Sequence, residues 1–283
     1  MFNAYETSVN KTIMNNPDCT ILVCSCDKYA DLLGPFLTLF RKYWPDCPFE
    51  LALVTESAPS LRGNERFDRV IACGPGGNWC SRLVKALGEI ATPYVLMLCD
   101  DYYLMKTVDT GLMLKRLEEM KRLGAANLRM IPNPKPTAKN TKGRKGDLFE
   151  YRKNTAYCIA TQAGFWERGF LKRLAEPVAS IWEFERYGSF AVADDSRPLL
   201  VTPTREFPFV DAVHKGCWER YGIDLLDANG IAYDLSVRGL PTFKARLVEG
   251  LKALVFALFP HTLIVRVQNL LNVGMKEKQP TPK

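Results

Sequence analysis

A chain of 283 residues that is 47% apolar and 24% charged has ordinary globular composition, with enough apolar surface for one large α/β domain and at most a small appendage. Its formal charge of +7 is uneven, because the stretch 241–283 holds seven Lys/Arg against two acids. The body is therefore near neutral, which argues against the basic stripe of a nucleic-acid binder and puts a local basic device at the C-terminus.

The first element is the β-branched and apolar run Thr20 to Cys24, of the kind that makes a strand buried on both faces. It ends in Ser25, Cys26, Asp27, Lys28 and Tyr29. Leu32, Leu33, Phe36, Leu37, Leu39 and Phe40 then recur at helical spacing until Trp44 and Pro45 stop the helix. Phe49 to Thr55 predicts a second strand, and Arg69 to Cys73 a third, closed by the Gly74 to Gly77 turn. A helix over Trp79 to Ile90 leads to Tyr94–Cys99, the most strand-like run in the chain, and this alternation predicts a parallel, right-handed α/β sheet. A helix follows over Val108 to Leu123. Residues 132–147, with three prolines and five Lys/Arg, predict a mobile loop able to close over a ligand. Regular structure is expected again at Tyr157 to Thr161 (strand), Phe165 to Leu174 (helix) and Ile181 to Glu185.

Nine cysteines fall singly in strand-like runs or loops and predict buried free thiols in a reducing compartment. Cys24 and Cys26 are too close for a zinc knuckle, and His214 and His261 are too few for a His-rich metal site. Met1 to Pro17 is polar and lacks the order of a secretion signal, so a cytoplasmic protein is expected.

Ligands of open α/β sheets sit beyond the carboxyl ends of the strands, which singles out Ser25 and Asp27, Asp100 and Asp101, and Glu183 and Glu185 in a later turn. Adjacent carboxylates behind a buried strand are costly unless a cation neutralises them, and Mg²⁺ or Mn²⁺ on one or two carboxylates with substrate phosphates is the simplest such cation. A helix N-cap made by Asp101 is the other reading.

Ile21 to Tyr29, Asn78 to Leu83, Tyr94 to Leu104 and Trp182 to Glu185 together resemble bacterial glycosyltransferases of the GT-A fold that build lipopolysaccharide and capsule. The resemblance spans Thr20 to Leu240 and implies a Rossmann-like, mostly parallel central sheet flanked by helices, with a catalytic domain over 1–240. It implies a nucleoside-diphosphate sugar donor, expected to be a UDP-sugar, bound by Ser25, Asp27, Trp79, Arg82, Asp100 and Lys215. Asp27 would meet the nucleobase and Arg82 would approach the donor. Asp100 and Asp101 resemble the family's Asp-x-Asp metal motif, although Cys99 stands where its first Asp would be if Asp101 is the second. His214 would complete the metal shell, with a solvated loop histidine as the alternative. Glu183 or Glu185 would serve as the general base of an inverting transfer; otherwise the segment is an acidic helix start with Trp182 and Phe184 in the core. Asp194 and Asp195 read as a solvated turn.

From 241 to 283 two apolar stripes flanked by basic residues predict two amphipathic helices, too short in their uninterrupted apolar runs to span a bilayer. They would lie on the cytoplasmic face of the inner membrane, or pack against the catalytic domain or a second subunit. Membrane docking would serve a lipid-linked saccharide acceptor. Nucleotidyl transfer to a sugar phosphate is the competing enzyme reading, but the place of its Gly-rich phosphate loop after strand one holds Ser25 to Tyr29. A non-enzymatic membrane adaptor would leave Asp100 and Asp101 without a purpose.

Overall fold

The structure, a computed structural model, describes residues 16–59, 66–153 and 155–242. The expected C-terminal helices fall on 243–283, outside the described residues.

Nine strands form one sheet in the order β3 (Arg69–Ala72), β2 (Glu50–Thr55), β1 (Cys19–Cys24), β4 (Tyr94–Cys99), β9 (Gly164–Glu167), β6 (Asn127–Arg129), β10 (Leu199–Val201), β8 (Leu148–Tyr151) and β7 (Thr141–Lys145). The half from β3 to β4 is parallel throughout, and only β9 and β8 run against the common direction. Sequence pattern explains the centre. Alternate residues of β1 serve opposite faces, Ile21 and Val23 joining one apolar cluster and Leu22 and Cys24 the other. Helices α1 (Leu33–Tyr43), α3 (Thr110–Arg122) and α6 (Arg220–Ala228) bury their apolar stripes in the first cluster. Helices α2 (Trp79–Glu89), α4 (Arg168–Ala175) and α5 (Ile181–Ala191) supply the second. A short 3₁₀ turn, Asp27–Leu32, leads from β1 into α1.

Three expectations are corrected. Phe165 begins no helix: Gly164–Glu167 is β9, wedged antiparallel between β4 and β6, because Phe165 and Trp166 bury on opposite faces of the sheet, a period of two rather than 3.6. The chain turns helical only at Arg168, where the Glu167 carboxylate accepts from the Gly169 and Phe170 amides at 2.8 and 2.7 Å. Tyr157 to Thr161 is irregular rather than a strand; Arg129 fixes it by donating to the Tyr157 and Cys158 carbonyls at 3.0 and 2.8 Å. The basic stretch 132–147 is not a mobile loop but contains β7, which pairs with β8 at the sheet's edge. Its charges fit that place: Lys142 and Lys145 flank buried Glu150, and a charged edge strand discourages pairing with other chains.

All nine cysteines are free thiols. Among the described residues no helix is long and apolar enough to cross a membrane.

Candidate functional site

Parallel in-register pairing sets the site. Cys24 of β1 lies opposite Cys99 of β4, so Ser25 and Asp100 leave the sheet side by side. Asp100 is buried, and its Oδ2 accepts from the Ser25 hydroxyl at 2.6 Å. Burial pushes its carboxyl up from the ordinary 3.8 to about 7, against the opposing pull of that hydrogen bond and of the Arg238 charge. Asp101 is driven up by burial first, then by the charges of Asp100 and Asp211. No helix follows Asp101, as a cap would require: the chain continues as β5 (Tyr102–Leu104).

β5 pairs antiparallel with β11 (Phe209–Asp211), placing Asp211 opposite Tyr102 and beside Asp101. The Asp101 carbonyl accepts from the Ala212 amide at 2.8 Å and holds the two turns together. Burial raises the Asp211 carboxyl as well, while Arg205 and His214 pull it down. The hairpin of β12 (Val213–His214) and β13 (Cys217–Trp218) follows, turning through Lys215 and Gly216 at φ 51° and 80°, the left-handed geometry of a tight two-residue hairpin.

These elements enclose a cleft of ≈ 570 Å³ at the carboxyl end of the central strands. Of the predicted residues, Ser25, Trp79, Arg82, Asp100, Asp101, His214 and Lys215 line it together. Arg82 is buried, with Nη1 donating to Glu56 at 2.9 Å and to the Gly77 carbonyl at 2.6 Å. Trp79 packs edge-on against Phe184 at 5.6 Å between ring centres.

Asp27, Glu183 and Glu185 do not line the cleft. Asp27 is exposed, and its carboxylate is held below the ordinary range by the hydroxyl and amide of Ser57 and by Thr55. The two glutamates lie on α5, not in a turn. Glu183 accepts from the Ala179 amide at 2.9 Å while Ser180 caps its own amide at 3.2 Å. Glu185 accepts from the Thr161 amide and hydroxyl, both at 2.8 Å. Phe184 is buried as a helix start predicts, but Trp182 is 62% exposed at the cleft wall instead of in the core. Asp195 is likewise no solvated acid: Arg173 and Arg197 enclose it, at 2.5 and 2.8 Å from Oδ2.

Sequence reasoning missed Asp211, Tyr29, Tyr221 and Trp182 as cleft residues. Asp211 carries a signal, an acid ending a short apolar run, but its relevance depends on the β5–β11 register.

The site's chemistry would suit a hard divalent cation: burial opposes charge on Asp100, Asp101 and Asp211, and Asp101 also feels the charges of the other two. Among the described residues no three His, Cys, Asp or Glu side chains are gathered closely enough to hold a metal ion by themselves. Water and substrate oxygens would complete the shell, the usual habit of magnesium.

No protein-family model and no curated protein matches the chain. Among solved structures, that of S. aureus TarS residues 1–349 is similar at 12% identity and a TM-score of 0.40, over 65% of this chain and 60% of that one. A second S. aureus TarS structure gives 14% identity and a TM-score of 0.40, over 65% of this chain and 36% of that one. A cytidylyltransferase from Leptospira borgpetersenii serovar Hardjo-bovis gives 12% identity and a TM-score of 0.39, over 81% of this chain and 99% of that one. The chain thus spans less than two thirds of either TarS structure.

Proposed function

We propose that the chain is a metal-dependent glycosyltransferase that moves a sugar, with inversion, from a nucleoside-diphosphate donor, a UDP-sugar, to a saccharide acceptor. The observation that carries this reading is that Asp100, Asp101 and Asp211 all line one cleft, where burial disfavours their charge. Asp100 and Asp101, with His214, would hold Mn²⁺ or Mg²⁺, which supplies Lewis-acid neutralisation of a departing diphosphate.

The chain's own groups would do the rest. Lys215, on the hairpin, sets positive charge beside the diphosphate, and Trp79 and Trp182 offer ring faces and edges to the donor. Asp211 takes the proton as the acceptor oxygen bonds to the anomeric carbon and the bond from that carbon to the diphosphate breaks. A carboxylate whose proton affinity is raised by burial is suited to this work. We assign the base to Asp211 in place of Glu183 and Glu185, whose carboxylates are engaged by α5's own cap and by Thr161. An acceptor carried on a lipid, in cell-surface polysaccharide assembly at the inner membrane, is part of this proposal and rests on the motif resemblance.

Thermal-shift measurements with UDP, with and without Mn²⁺, test the donor site: stabilisation that needs both is expected in the wild type and is lost in Asp101→Asn. For the base, Asp211→Asn is expected to lower kcat by roughly 10²–10⁴-fold while Glu185→Gln leaves it within a few-fold. UDP binding that ignores Mn²⁺ refutes the metal assignment, and the opposite order of the two kcat losses refutes the base.

A further inference from the structure

The hairpin carrying His214 and Lys215 is a two-stranded ribbon of two residues a side, which does not hold a position by itself. Something outside it must fix the turn against the cleft. Arg238, 24 residues beyond His214 in number and buried to 4% exposure, touches that turn and the loop after β1 at once. Its Nε and Nη2 donate to the two oxygens of Asp31 at 3.1 and 2.9 Å, Nη1 donates to the Gly216 carbonyl at 3.1 Å, and Nη2 also reaches the Lys28 carbonyl at 3.4 Å. The guanidinium stacks over the Tyr29 ring at 4.3 Å, and the neighbouring Gly239 carbonyl accepts from the Trp218 amide at 2.9 Å. Tyr29 lines the cleft, as do His214 and Lys215.

We infer that Arg238 is a positioning residue, a latch that pins the Lys215–Gly216 turn to the Lys28–Asp31 loop and so sets His214, Lys215 and Tyr29 around the bound diphosphate. Each guanidinium nitrogen is engaged by Asp31 or a backbone carbonyl, so Arg238 acts through the hairpin and not as a phosphate ligand. The planar fork matters as much as the charge, since it meets Asp31 with two nitrogens while still reaching Gly216. Lysine cannot do both.

The role of the bound diphosphate rests on the glycosyltransferase reading; the latch itself does not. The test is hydrogen exchange on the full chain, comparing wild type, Arg238→Ala, Arg238→Lys and Asp31→Asn, alongside calorimetric titration with UDP and Mn²⁺. Exchange over 213–218 and 28–31 is expected to rise about tenfold or more in Arg238→Ala and Asp31→Asn, with β1 and β4 unchanged. Arg238→Lys, which keeps the charge and is the variant least prone to misfold, is expected to give an intermediate rise. Affinity for UDP with Mn²⁺ is expected to fall about tenfold in step with exchange. Unchanged exchange over 213–218, or an equal rise in β1 and β4, overturns the latch. If the wild type does not bind UDP with Mn²⁺, the donor reading fails and the exchange arm still decides the latch. If exchange rises locally while affinity holds, the link from latch to diphosphate is overturned.

Discussion

Asp100→Asn is expected to stabilise the metal-free protein, and more so at alkaline than at acid pH. The folded-state carboxyl sits near 7 against an ordinary 3.8, so the folded chain holds a proton that the unfolded chain releases between those values. The sign follows from linkage. A raised carboxyl penalises the fold progressively as pH climbs from 3.8 to 7, and the full penalty, roughly 4 kcal/mol, is present above 7. At pH 5 less than half of it has accrued. Asparagine carries no such charge and escapes the penalty at every pH, while its difference from the protonated acid, including the bond with Ser25, does not depend on pH and cancels. Urea unfolding of wild type and variant in chelator at pH 5 and pH 8 should therefore give stability gains that differ by roughly 2–3 kcal/mol, larger at pH 8. Equal gains at the two pH values, or a larger one at pH 5, would refute the claim that Asp100 is a buried, desolvated acid. Manganese should then narrow the gap at pH 8, because a cation stabilises the wild-type carboxylate and not the amide.

Arg116 is buried and forks onto Glu206 at 2.6 and 2.7 Å while also meeting Glu119 and Asp147, so Arg116→Met strands Glu206 and should cost about 3–5 kcal/mol in urea unfolding. A Cβ on Gly222 would lie 2.8 Å from the backbone of Ala212, the residue after Asp211; Gly222→Ala should cost about 1–3 kcal/mol and shift the amide resonances of 211–213. Asp195 is held well below the ordinary carboxylate range by Arg197 and then Arg173, so its contribution is present above that range and lost as pH falls beneath it. Asp195→Asn should thus lower Tm at pH 7, and lower it by less near pH 2, where part of the contribution has already been lost.

What the sequence made legible was the part of the fold whose burial is local and periodic. β1, β2 and β4 are continuous apolar runs and α1, α2 and α3 carry regular stripes, so their existence and bounds needed no tertiary information. Phe165 and Trp166 misled because two adjacent apolar residues satisfy a helix and a two-faced strand equally; insertion between β4 and β6 decides it, and that is a long-range fact. The basic stretch 132–147 misled for the complementary reason. Composition measures what a segment can bury, and an edge strand buries little: of β7 only Thr141 is buried.

The same division separates the cleft residues. Ser25 and the two acids Asp100 and Asp101 were readable because they directly follow strong strands, and strand ends are where parallel sheets present ligands. Glu183 and Glu185 were read from motif and turn chemistry, which is silent on helical phase. Once Ser180 caps α5, residue 183 sits in its first turn and turns back to the chain before the helix, while 184 falls to the core and 182 to the wall of the cleft. Asp211 follows the opposite logic: its only local mark is an acid at the end of a short apolar run, and one ladder, Asp211 against Tyr102, delivers it to Asp101. A third acid brought by pairing to an already costly pair is more informative than either strand end alone. Each added carboxylate deepens the repulsion that a cation or a proton must offset, and a fold gains nothing in stability by keeping it there.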